Sequence, residues 1–134
     1  MVLNLDIDKL EYPWEVKYKI EQNNLATYLQ AADYINQSGA DIVCLEHEFG
    51  IFGGRNGEYV LPFIDALHIP LVTTLHTVVS DSTSRDAIIL KRIINKSVAV
   101  TVMLNKVKEK LVNDYRVAGE KIVTIPHGTP DLPY

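Results

Sequence analysis

Only one cysteine, Cys44, occurs in the 134 residues. No disulfide can close within the chain, and a reducing compartment fits best. Cys44 sits inside an apolar run, where a thiol reads as a buried spacer rather than a reactive group. No stretch approaches the roughly 20 apolar residues that span a bilayer, and the N-terminus lacks the basic-then-apolar order of a secretion signal. The expectation is a cytoplasmic protein, with peripheral membrane contact left open. Positive charge is not in excess: 13 Lys and Arg face 17 Asp and Glu, a net charge of −4. General electrostatic binding of nucleic acid is therefore disfavoured, and the local run Lys106, Lys108, Lys110 reads as a solvated helix face. Absent as well are the nucleophile elbow GxSxG, the P-loop, GxGxxG, and any HxxxH or CxxC pair.

What is present centres on residues 41–54, DIVCLEHEFGIFGG. Ile42, Val43, Cys44 and Leu45 are an uninterrupted apolar run, the pattern of a parallel strand buried on both faces. It stops at Glu46, His47 and Glu48. A loop with Gly50, Gly53, Gly54 and Gly57 follows. Ligands of open α/β sheets bind beyond the carboxyl ends of the strands, which makes this loop the expected working edge. GIFGGRNG matches no phosphate-binding pattern, and a turn feeding a helix explains it equally well.

Along the chain, Leu3, Leu5 and Ile7 alternate with polar residues, as do Val16, Tyr18 and Ile20 after the break at Pro13. Asn24 is placed to cap a helix carrying Leu25, Tyr28, Leu29, Ala32 and Ile35, which Gly39 ends. A second helix begins near Val60, where Pro62 is tolerated in the first turn. Strands are predicted over 69–75, 98–104 and 121–125. A helix over 86–94 and another capped by Asn105 lie between them. This alternation predicts a single α/β domain, 1–134, with a Rossmann-like parallel sheet and helices on both faces.

His47, His76 and His127 each follow a predicted strand, so one sheet edge would gather all three; His68 falls on the opposite edge. Histidine also simply suits a strand exit. Glu46 and Glu48 flank His47 but point away from it on an alternating backbone; one is placed to orient an imidazole, or both are exposed charges. A metal-dependent hydrolase-like domain with the three histidines as ligands and a non-catalytic binding subunit are alternative readings.

HEFGIFGG (47–54), TTLHT (73–77) and IPHG (125–128), with EYPWEVKYKI (11–20) before them, resemble the N-terminal domain of family-4-type glycosyltransferases of the two-domain GT-B architecture. The resemblance implies an acceptor-side half-enzyme. A nucleotide-sugar would be its co-substrate, with no other cofactor and no metal, and a saccharide or lipid-linked molecule its acceptor. It implies a catalytic place for His76 near the reacting sugar. His47, Glu48, Gly53, Gly54, Thr77, His127 and Gly128 would be substrate-binding. Family members carry an additional first strand-and-helix unit and a C-terminal donor domain. The expectation is therefore a fragment whose second domain is supplied in cis or in trans, and whose uncovered apolar surface favours self-association.

Overall fold

The computed structural model describes residues 1–4 and 10–128. The predicted alternation at residues 5 and 7 and the prolines at 130 and 133 lie outside them. Strands β1 (Val2–Asn4) and β2 (Lys19–Glu21) form a parallel pair. Helix α1 (Leu25–Gln37) then leads to a second sheet of β3 (Val43–His47), β4 (Leu71–Leu75), β5 (Ala99–Val102) and β6 (Ile122–Thr124). These four strands are all parallel and lie in chain order. Helices α2 (Val60–Ala66), α3 (Arg85–Lys96) and α4 (Asn105–Tyr115) cross between them. None of the helices among the described residues is long and apolar enough to cross a membrane.

Local chemistry sets the helix ends. Asn24 caps α1, its side chain accepting the Ala26 N–H at 3.2 Å, and Gly39 leaves the helix at φ +76°. Ser84 caps α3 by accepting the Ala87 N–H at 3.1 Å, with Asp86 in the first turn complementing the helix dipole. Asn105 behaves differently from the expectation. It is the first helical residue of α4, and its side chain makes no cap.

The expected class, parallel strands flanked by helices in a Rossmann-like α/β domain, is what the chain adopts. Its covering, however, is one-sided among the described residues. The register row Leu45, Thr73, Val100 and Ile122 is buried, and all four helices pack over that side. The alternate row, Cys44, Val72 and Ala99, is half-buried or exposed. The reason is topological. Right-handed crossovers between strands laid down in succession place every connecting helix on the same face. So β3 is covered on one face only, correcting the both-faces expectation, and Cys44 is exposed rather than a buried spacer.

Between β1 and β3 runs an apolar groove of about 270 Å³, floored by Ile20, Tyr28, Phe52 and Phe63. Val2 and Asn4 spend their backbone groups on the β2 side, and Val43 and His47 theirs on the β4 side. Strand alternation therefore turns the backbone of Leu3 on one wall, and of Cys44 and Glu46 on the other, away from those partners.

Candidate functional site

The carboxyl ends of β3, β4 and β5 make the rim. Register pairs Glu46 with Thr74 and Thr74 with Thr101, so these three form a polar row on the uncovered face. Thr101 Oγ1 donates to Thr74 Oγ1 at 2.8 Å. One step further, Glu46 Oε2 lies 2.9 Å from His76 Nε2. Glu48 Oε2 accepts from Thr77 Oγ1 at 2.7 Å, while its other oxygen accepts the Phe49 N–H at 2.9 Å. Two bridges thus tie the exit of β3 to that of β4.

Beyond β6 the chain turns over the rim, where the Ile125 N–H still donates to Val102 O at 2.8 Å. This brings His127 opposite His76, ring centroids 6.4 Å apart. Glu46, Thr74, His76, Thr101, Met103 and the segment 125–128 enclose a cavity of about 260 Å³. A wider groove of about 660 Å³ runs along α4 and β6 past Asn105, Lys108 and Thr124. It contains no imidazole, and the paired acid and histidine lie elsewhere.

His47 sits at the same strand end but on the other face. Its ring is 1% exposed, stacked on Phe52 and edge-on to Phe49, and Nδ1 has no hydrogen-bond partner. Burial holds its pKa down to about 4; the Glu48 charge pulls it back up and His76 adds a smaller downward push.

The glycine loop is built into the core. A Cβ on Gly53 would lie 1.8 Å from the Gln22 carbonyl oxygen. The Gly53 N–H donates to the buried Tyr28 hydroxyl at 2.9 Å, and that hydroxyl donates to Gln22 O at 3.0 Å. Gly54, at φ +78°, has the Tyr59 ring against it. These contacts account for both glycines as close-packing residues.

The chain matches the model of Glycosyltransferase Family 4 over residues 4–131. It belongs to that family. A search among curated proteins gave no match.

In this glycosyltransferase domain the residues singled out from sequence divide into two groups. His76, His127 and Gly128 share the rim cavity, with Thr77 and Glu48 bridged beside it. His47 lies beneath, on the helix-covered side, and Gly53 is packed against the turn that follows β2. His68 is exposed, its N–H donating to Asn36 Oδ1 at 2.9 Å. Sequence reasoning missed Thr74, Thr101 and Met103, and left Glu46 unassigned. For Thr74 the signal was available: two positions before His76 in a strand means the same face. Thr101 and Met103 needed the register of β5.

Proposed function

We propose that this domain is the acceptor-side half of a GT-B sugar transferase, and that the rim of Glu46, Thr74, His76, Thr101 and His127 receives the sugar chemistry. A nucleotide-sugar is the co-substrate and a saccharide or lipid-linked molecule the acceptor. The observation that carries the reading is the cavity itself: two imidazoles, a carboxylate and two hydroxyls converge on about 260 Å³ at the strand ends where such sheets bind ligands. Family membership supports the reaction class.

Sugar transfer passes through an oxocarbenium-like state while negative charge grows on the departing diphosphate. Donors and acceptors fixed beforehand stabilise that redistribution without reorganising. His76 serves here by holding a sugar hydroxyl, and His127, across the cavity, bounds the other side. A donor-binding domain, in cis or in trans, supplies the facing wall.

The metal-hydrolase alternative loses its ligand set, because the His47 ring lies among phenylalanines on the opposite face from His76. Among the described residues no group of three His, Cys, Asp or Glu is arranged to hold a metal.

The direct test titrates the 134-residue chain with nucleotide-sugars and with mono- and oligosaccharides, following the ring signals of His76 and His127 by NMR. Saccharide-dependent shifts at both rings are expected. No shift at either histidine up to millimolar ligand would overturn the assignment.

A further inference from the structure

Glu46 and His76 are 30 positions apart in sequence, yet the fold makes them neighbours on one face. Parallel register sets His47 opposite Leu75, so His76 is the next residue along on the Glu46 side. Three contacts hold this arrangement. The His76 backbone N–H donates to the His47 carbonyl oxygen at 3.1 Å, the Glu48–Thr77 bridge spans the same two exits, and Thr74 beneath is tied to Thr101. Glu48 already has both oxygens engaged. Glu46 alone among the described residues bonds the His76 ring.

We propose that Glu46 is the positioning residue for His76, setting its ring tautomer so that Nδ1 faces ligand as a hydrogen-bond acceptor. A carboxylate offers only lone pairs, so the ring nitrogen facing it, Nε2, must carry the hydrogen. In the neutral imidazole that leaves Nδ1 with a bare lone pair. No described residue bonds Nδ1. The matching ligand group is therefore a donor, a saccharide hydroxyl; an ionised phosphate oxygen has no hydrogen to offer this nitrogen. The inference rests on the sugar-site reading above and deepens it by naming the contacting atom and the group it selects. The pair is exposed, 38% for the histidine side chain and 64% for the glutamate, so its share in stability is small. Its consequence is orientation, as when a ligating or catalytic histidine is held through its second nitrogen.

The experiment is a two-bond ¹⁵N–¹H correlation spectrum of the His76 ring at pH 8, in the wild-type chain and in Glu46→Gln. The glutamine amide both donates and accepts, so it enforces neither tautomer. The Nε2–H form should dominate in the wild type, and the Nδ1–H form should rise severalfold in Glu46→Gln, with Glu46→Asp in between. Unchanged populations in Glu46→Gln, or a wild-type ring in the Nδ1–H form, would overturn the proposal. No sugar is present, so this outcome is independent of whether the rim binds one. Titration with saccharide then reads the second half: Glu46→Gln should weaken binding by roughly twofold to fivefold, the scale of an exposed polar pair. A tautomer change without any saccharide response at the rim would keep Glu46 as the residue that sets the ring and remove the sugar site.

Discussion

The His47 imidazole lies nearly parallel to the Phe52 ring, planes 15° apart and centroids separated by 5.5 Å. Two residues after the strand's midpoint, a polar side chain thus closes the aromatic end of the core instead of lining the cavity around His76. Stacking and the edge-on contact with Phe49 repay part of the cost of burying a ring whose Nδ1 is unpaired.

That placement fixes a pH dependence. The pKa of His47 is lowered from 6.5 to about 4 in the folded chain, so the unfolded chain binds the proton first as pH falls. The contribution is fully present above pH 6.5 and is lost progressively down to about pH 4, on the order of 3 kcal/mol in all. Thermal melts of the wild type should drop across this window, and His47→Phe should flatten the drop. An identical pH dependence in both proteins would show that His47 is not responsible.

The Gly53 contacts predict a sharp contrast between two loop glycines. Gly53→Ala forces a methyl into the Gln22 carbonyl and should cost about 3 kcal/mol, at the upper end of overpacking. Gly50 has nothing within 4 Å of its Cβ position, so Gly50→Ala should change the denaturation midpoint little. Tyr28→Phe removes the hydroxyl that serves Gly53 and Gln22, with an expected loss of about 1–3 kcal/mol. Equal midpoints for the two alanine variants would contradict the packing described.

For the rim, His76→Ala should reduce sugar transfer by roughly 10²-fold, the scale of losing one fixed polar group at a reacting centre. Assays belong in the polypeptide or mixture that includes the donor-binding half. Because the His76 side chain is more than a third exposed, the same variant should change stability by under about 1 kcal/mol. Wild-type turnover in His76→Ala would take this residue out of the site.

Self-association is the expected consequence of the groove between β1 and β3. Its walls present strand backbone at Leu3, Cys44 and Glu46 beyond the two sheets, and its floor is apolar; unpaired edges of this kind recruit other chains. Mass measured by light scattering should rise with concentration. A constant monomer mass from micromolar to near-millimolar protein would count against it.

Much of the fold was legible in local patterns. The 3.6-residue stripe behind Asn24, the apolar runs ending at His47 and His76, and the positions of Gly39 and Pro62 each report a neighbour within a few residues. Asn105 misled because a good capping residue fits a helix's first turn as well as its cap. The apolar letters of β3 misled for another reason. Ile42, Val43 and Cys44 look alike in hydrophobicity, and only the number of helices laid on each side of the sheet distinguishes their faces.

The letters alone determined that strands and helices alternate and that three histidines fall at or just past strand ends, because periodicity and turn chemistry act over short distances. Tertiary structure decided the rest: which side of β3 each residue meets, that His47 goes under the helices while His76 and His127 confront each other, and that Glu46 serves an imidazole far along the chain. Those outcomes depend on strand order, crossover hand and register, which are set by packing between segments and leave no mark within any one of them.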